Sequence, residues 1–189
     1  MIHHRPQTSD DSNFQRSCLI SSDVVGGSMV LSLSLPFNKG NANSAPNAFI
    51  RVDSAGSVAL IMPRLDVRES IYTSIRMLIS DELEVVPNRV EFEYAPKEAF
   101  VAYGMFHALT AGNSIAVRGT LKLLGELSAT ARAMLIAAAA RRWGVDARSC
   151  HASEGEVIHP QSWRKLKYGD LAVDAAYAPI PKEIALKGA

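Results

Sequence analysis

The side chains best suited to catalysis or metal binding are few and poorly spaced. The five histidines and two cysteines form no His-Glu-x-x-His or Cys-x-x-Cys pattern, the spacings that bring zinc ligands together. Cys150 and His151 are adjacent, so on a strand their side chains point to opposite faces and cannot form a nucleophile–base pair. Cys18 and Cys150 are too few for a disulfide framework. The sequence therefore predicts no metal-ligand set and no cysteine nucleophile.

The common catalytic and nucleotide-binding motifs are also missing from the sequence. There is no Gly-x-Ser-x-Gly elbow, no Walker phosphate loop and no Gly-x-Gly-x-x-Gly after a strand. Glu91 and Glu93 alternate with the apolar residues around them, which is typical of the solvated face of a strand. The residues alone therefore predict no catalytic residue.

Composition narrows the class of protein. The chain has 189 residues, of which 48% are hydrophobic and 21% charged, which fits one globular domain. Twenty Lys and Arg against nineteen Asp and Glu leave a formal net charge of +1. A nucleic-acid partner is therefore not expected, because binding to phosphate backbones needs a strong basic surface.

The first half of the domain predicts a hairpin, a helix and a strand. Residues 48–52 and 58–62 alternate on either side of the turn at Asp53–Gly56, and Pro63 ends the second strand. Asp66 and Glu69 have the spacing of a capping box, which predicts a helix over about 67–83. Residues 90–94 then predict a half-buried strand.

The second half is predicted to be mainly helical. Residues 97–113 have no regular period and predict a loop, and a long helix follows over about 116–143, with Gly125 as a candidate break and Ser128 as the cap of its second piece. The alanine-rich face of this helix indicates either packing within the domain or close approach of a partner. Short strands at 148–154 and 156–159 and a helix over 168–176 complete an α+β fold, before an extended tail at Pro179–Pro181.

The N-terminal 40 residues differ from the rest. They indicate either a disordered arm or a degenerate export signal, in which Gln15-Arg16 replaces a twin arginine before an apolar stretch from Val24 to Phe37. That stretch has about 14 residues, whereas a bilayer span needs roughly 20, so no transmembrane segment is expected. The alternation of Leu31 and Leu33 with serines also suits a half-buried strand. Residues 38–47 predict a linker, and the compact domain is expected over 48–185.

A family resemblance emerges from the order and spacing of many short blocks. The blocks are Asn47–Asp53, Gly56–Val58, Pro63-Arg64, Ile71–Ser74, Met77-Leu78, Asp81–Leu83, Val90-Glu91, Gly112–Ser114, Val117–Gly119, Ala131–Leu135, Arg142–Val145, Cys150, Gly155–Val157 and Tyr168–Ala172. With these blocks in this order, the chain resembles, over roughly residues 14–185, the N-terminal segment of isoquinoline 1-oxidoreductase beta subunits. These subunits are in the xanthine oxidase and aldehyde oxidase family of molybdenum hydroxylases.

The resemblance implies a fold, a cofactor and partners. The fold would be one molybdopterin-binding subdomain of mixed α/β structure. The cofactor would be molybdopterin, and the chemistry would be the hydroxylation of N-heteroaromatic compounds or aldehydes, with electrons leaving through an iron–sulfur small subunit. The expected partners are that subunit and the remainder of the molybdenum subunit. The family's exported N-terminus implies the bacterial periplasm, and without export the compartment would be the cytoplasm.

The chain departs from the family at the cofactor turn. A Met-Gly-Gln-Gly turn in the family aligns with Val67–Ser70, where both glycines are lost and Glu69 replaces the glutamine. In a second family block, Gly-Gly-Ser-Thr-Ser, Gly112 and Ser114 are the positions that still match and are carried over as cofactor-binding residues. Ser114 also suits a helix start at a loop–helix junction.

Two functions remain open from the sequence. The family's catalytic glutamate lies beyond the last residue of this chain, so we expect a segment of a molybdenum hydroxylase subunit that is inactive alone. The alternative is a free-standing binding or scaffold module that kept the fold and lost the cofactor.

Overall fold

The computed structural model describes residues 19–34, 48–94 and 114–187. These residues form eight strands and three α-helices. In chain order they are β1 (Leu19–Val25), β2 (Ser28–Ser34), β3 (Ala48–Val52), β4 (Val58–Met62), α1 (Glu69–Leu83), β5 (Val90–Tyr94), α2 (Ser114–Trp143), β6 (His151–Ser153), β7 (Glu156–His159), β8 (Arg164–Lys167) and α3 (Tyr168–Ala176).

A five-stranded sheet in the order β1-β2-β3-β4-β5 carries the core. Neighbouring strands are antiparallel except β4 and β5, which are parallel because α1 carries the chain back between them. One face of the sheet is apolar and is covered by α2 and α3, with α1 beside β5. Fully buried residues of that face are Met29, Leu31, Leu33, Ile50, Val52, Val58, Leu60 and Met62.

The N-terminal hairpin corrects the interpretation of residues 1–40. Residues 19–34 are two paired strands, so a disordered arm is wrong for them and the half-buried strand is right. Alternate side chains of a strand point to the same face, so those of Met29, Leu31 and Leu33 all point into the core. The described part of the domain therefore begins before residue 48. Residues 1–18 and 35–47 lie outside the described residues.

Helix α1 starts two residues later than predicted. Arg68 is its N-cap, in an extended conformation with no side-chain cap bond, so the capping box with Asp66 is wrong. Asp66 lies two residues before the cap position and cannot fill that role. At the other end Glu84 adopts φ 53°, and the amides of Glu84 and Val85 bond the carbonyls of Asp81 and Ser80.

Helix α2 runs unbroken over 30 residues, so the predicted break at Gly125 and cap at Ser128 are wrong. Ser128 instead donates its hydroxyl to the carbonyl of Leu124 at 2.8 Å within the helix. The alanine-rich face is buried in this domain, as at Ala131 and Ala138, which confirms the core-packing alternative.

The same helix has the length and composition of a membrane span. Among the described residues it is the one such helix, over Val117–Trp143. Most of that stretch is buried inside the fold, which is the pattern of a core helix.

A second, three-stranded sheet in the order β6-β7-β8 packs against α2. The predicted hairpin of β6 and β7 is confirmed, and so is α3, whose bounds match the prediction. Strand β8 was not predicted. The α+β class is confirmed by these two sheets and the helices that cover them. The loop predicted at 97–113 lies outside the described residues.

Candidate functional site

The sheet edge at the carboxyl ends of β4 and β5 is the candidate site. These parallel strands end together at Met62 and Tyr94, and the loop 63–68 leads from this edge into the N-terminus of α1. In α/β structures, ligands commonly bind beyond the carboxyl ends of parallel strands. The position aligned with the family's cofactor turn, Val67–Ser70, lies in this loop and in the first residues of α1.

Tyr72 fixes the loop to the helix. Its hydroxyl donates to the carbonyl of Leu65 at 2.9 Å and accepts from the amide of Leu65 at 3.2 Å. Its ring meets Phe92 edge-on, with centroids 5.3 Å apart. Burial raises the pKa of the Tyr72 hydroxyl above its usual value. With its proton held by a backbone carbonyl and its pKa raised, this hydroxyl positions the loop and is poorly suited to proton transfer.

Two arginines of the edge lie over aromatic rings. The guanidinium of Arg64 is 4.8 Å from the centroid of Tyr94, and that of Arg76 is 5.2 Å from the centroid of Phe92. Arg64 and Tyr94 are both exposed at the end of the strand pair. The edge therefore offers a cation and an aromatic face to solvent.

The edge also carries exposed acids, which matters for an anionic cofactor. Asp66 and Glu69 are exposed, Glu69 in the first turn of α1, with Arg68 between them. Their carboxylates would repel the phosphate of a pterin cofactor and cancel much of the attraction of the arginines and the helix N-terminus.

The backbone at the cofactor turn does not fit molybdopterin. A cradle that takes a ligand close to its backbone needs glycine or positive φ, and Val67–Ser70 contains no glycine. Arg68 has φ −63°, and the positive-φ residues of the described chain all lie elsewhere. Each of the four residues carries a Cβ where the family turn has two glycines. The described residues of this edge therefore do not form the cofactor turn that the resemblance implied.

The second predicted cofactor position stays a prediction. Gly112 lies outside the described residues, and Ser114 is the first residue of α2. As for metals, the described ranges contain no group of three or more His, Cys, Asp or Glu side chains placed to hold an ion.

Sequence reasoning missed a strained and exposed tryptophan. Trp163 adopts φ 56° and is 87% exposed, directly before β8. A signal for it was present, because Trp163 opens the run Trp-Arg-Lys-Leu-Lys, in which an exposed aromatic residue adjoins three cations.

Comparison with known proteins finds a curated relative. No family model matches the chain. It is 28% identical over 132 residues to the "Isoquinoline 1-oxidoreductase subunit beta" of Brevundimonas diminuta, which covers 67% of this chain. The chain is related to this subunit. The relationship confirms the resemblance to the molybdenum hydroxylase family, while the chain spans 16% of the length of the relative it matches.

A solved structure is also similar. It is quinoline 2-oxidoreductase from Pseudomonas putida 86, with a TM-score of 0.48 and 13% sequence identity. The similarity covers 87% of this chain and 21% of the other.

Proposed function

We propose that the chain supplies a structural segment of a molybdenum hydroxylase subunit of the isoquinoline 1-oxidoreductase type and is inactive alone. The observation that carries the proposal is the match to a beta subunit over 67% of this chain. That match covers 16% of the relative, so the metal centre and most of its surroundings would come from other parts of the assembly.

The residues described here would act as a support in this assembly. Tyr72 and Leu65 hold the loop at the end of β4, and the Arg64–Tyr94 pair presents a defined surface at the same edge. The remainder of the molybdenum subunit would supply the pterin contacts that Val67–Ser70 lacks. An iron–sulfur small subunit would accept the electrons, as in the resembled family.

An activity assay with and without the missing parts tests the proposal. The chain is assayed for isoquinoline oxidation with an artificial electron acceptor, first alone and then co-expressed with the remaining beta-subunit segment and the small subunit of the Brevundimonas diminuta enzyme. We expect turnover only in the co-expressed sample. Turnover by the chain alone contradicts the proposal.

A pair of matched variants tests whether Tyr72 contributes to activity by fixing the loop. We expect the activity of the co-expressed sample to fall when Tyr72 is changed to Phe. The amide and carbonyl of Leu65 then lose their hydrogen-bond partner, and the loop is held less firmly. The change Tyr177→Phe serves as control, because Tyr177 is 72% exposed and follows the last residue of α3. Equal activity of both variants would argue against a supporting role for the edge.

A second candidate function is a cofactor-less scaffold module. The geometry of Val67–Ser70 favours it, because these residues lack the glycines of the cofactor turn. The same co-expression experiment discriminates the two, since a scaffold module neither associates with the remaining segment nor restores turnover.

Export to the periplasm is a separate proposal. It rests on the Gln15-Arg16 pair before an apolar stretch. Mass spectrometry of the N-terminus of the native protein tests it. Cleavage after the apolar stretch would remove about the first forty residues, and β1 and β2 with them. Export therefore predicts a mature N-terminus near residue 40, and a native N-terminus before residue 19 contradicts it.

A further inference from the structure

Strand β8 is an open edge of the second sheet. It is the outer strand of the order β6-β7-β8, and no described strand pairs with its other side. Arg164, Lys165 and Lys167 are exposed, while Leu166 is half-buried and packs on the core. An unpaired strand edge is a ready template for another extended segment.

The hydrogen-bond register shows which backbone groups are available. The amide of Tyr168 donates to the carbonyl of Gly155 at 2.9 Å, one step beyond the pairing of Lys167 with Glu156. In an antiparallel pair, hydrogen-bonded positions recur at every second residue. The amide and carbonyl of Lys165 and the amide of Lys167 therefore point away from β7, towards the open edge. The carbonyl of Lys167, the N-cap residue of α3, instead accepts the first bond of that helix.

The side chains of these two lysines share one face of the sheet. They lie opposite Ile158 and Glu156 in register, on the face away from Val157 and the core. Among the described residues β8 makes one ion pair, between Lys165 and Glu156 at 3.9 Å. Arg164 instead donates to the carbonyl of Trp143 at 3.4 Å. The edge thus keeps an excess of positive charge.

Trp163 adds an apolar contact at the start of this edge. Its left-handed conformation, φ 56° and ψ 20°, is unfavourable for a residue with a Cβ, and its indole is 87% exposed. Folding of the described domain gains little from so exposed a ring. The left-handed backbone closes the turn into β8, where the amide of Trp163 donates to the carbonyl of Pro160. The exposed ring itself is suited to binding, because tryptophan and arginine dominate binding hot spots.

We propose that β8 binds an extended acidic protein segment as a fourth strand of the second sheet. Carboxylates at alternate positions of the segment face Lys165 and Lys167, and an apolar side chain at its end packs on Trp163. The outward amides and carbonyls give affinity, and the lysines select an acidic strand by repelling a cationic one. The site is independent of any redox function.

A polypeptide fits this edge better than a nucleic acid does. The outward backbone groups of β8 match those of a strand, whereas a nucleic acid has no amides and carbonyls spaced along an extended backbone to pair with them. The net charge of the whole chain, +1, also gives no general attraction for phosphate backbones.

Titration of the full chain with a soluble peptide of alternating Glu and Val tests the proposal. Calorimetry measures affinity, and amide chemical shifts map the site. We expect saturable binding with shifts centred on residues 163–167, and no binding of an alternating Lys and Val peptide. The double change Lys165→Glu and Lys167→Glu is expected to weaken binding at least about tenfold, whereas Lys182→Glu, a charge reversal at another exposed site, leaves it unchanged.

Two further variants separate docking from folding. Lys165→Pro removes an outward amide without removing a bond to β7, so circular dichroism should be unchanged while binding is lost. Trp163→Gly relieves the left-handed strain, so thermal stability should hold or rise while binding weakens. Absence of saturable peptide binding, or equal affinity in all variants, overturns the proposal. So does binding of a single-stranded oligonucleotide in place of the peptide.

Discussion

At the scale of single residues, the start of α3 joins the two halves of the domain. Gly169 lies so close to the β3–β4 turn that a Cβ placed on it would be 2.1 Å from the carbonyl oxygen of Ser54. Next to it, the buried hydroxyl of Tyr168 donates to the carbonyl of Leu83 at 2.7 Å. Leu83 ends α1, so its carbonyl has no partner within the helix, and Tyr168 supplies one.

The change Gly169→Ala is expected to destabilise the protein by about 2 kcal/mol or more, because the backbone of the turn must move to admit the methyl group. Urea unfolding measures the effect. Gly119→Ala in α2 is the matched control, since a Cβ there meets nothing within 4 Å and should stabilise the helix by roughly 0.5–1 kcal/mol. Equal effects of the two changes would show that the close approach at Ser54 is not formed.

Tyr168 also predicts a loss of stability at alkaline pH. Burial raises the pKa of its hydroxyl above the usual 10.0. Above about pH 10 the unfolded chain releases this proton while the folded chain keeps it, so the free energy of unfolding falls as pH rises. In Tyr168→Phe this part of the slope should disappear, and the variant should be roughly 1–2 kcal/mol less stable at neutral pH. Stability curves measured at pH 7–11 that run parallel for both proteins would contradict this.

At the scale of elements, a buried ion pair ties the C-terminal segment to α1 and α2. Glu82 is 2% exposed, and its carboxylate lies 3.3 Å from the guanidinium of Arg132 and accepts a hydrogen bond from the amide of Lys187 at 2.9 Å. Arg132 also donates to the carbonyl of Ala185 at 3.1 Å. Residues 185–187 are therefore held across the two helices by hydrogen bonds to charged groups.

Removal of Arg132 tests how much the ion pair with Glu82 contributes to the free energy of unfolding. Arg132→Met leaves the Glu82 carboxylate buried without its cation, so we expect a loss of about 3 kcal/mol and faster proteolysis at 182–187. The double variant with Glu82→Gln should regain a good part of the loss. Arg142→Met breaks the more exposed pair with Asp174 and should cost less than about 1 kcal/mol. Similar losses for both arginines would show that burial does not govern these pairs.

Local signals explain which elements could be predicted from the sequence. The β3–β4 hairpin and α3 follow from strict periods and clear turns, and their bounds agree closely with prediction. Strand β8 was not predicted, because three of its four residues are charged and only the side chain of Leu166 points inwards. At Gly125, inside α2, a Cβ would lie 3.8 Å from Leu78 and 3.7 Å from Leu186, a packing that no local sequence pattern shows. Gly26 and Gly27, both with positive φ, form the turn between β1 and β2 and were an overlooked hairpin signal.

The candidate site could be predicted only in part. The loss of the glycines at Val67–Ser70 is visible in the sequence, and the structure adds that a helix begins there at Glu69. Tyr72 was identified only as part of a motif, because its bond to Leu65 joins a loop and a helix whose geometry no local pattern fixes. Gly112 and Ser114 remain predictions.

At the scale of the whole molecule, the sheet core and the cofactor turn give different indications. The chain is related to a beta subunit of a molybdenum hydroxylase, and its described residues form a hydrophobic core against the five-stranded sheet. At the edge where the family turn would contact the pterin, exposed carboxylates and Cβ atoms replace glycines. The central claim is therefore that this chain alone does not retain molybdopterin.

The ratio of molybdenum to protein tests that claim most directly. The full chain is purified from cells grown with molybdate, and its metal content and released pterin are measured together. An intact molybdenum hydroxylase, purified separately by the same procedure, is the positive control. We predict molybdenum and pterin far below one per chain. A ratio near one for both in the chain alone would contradict the account.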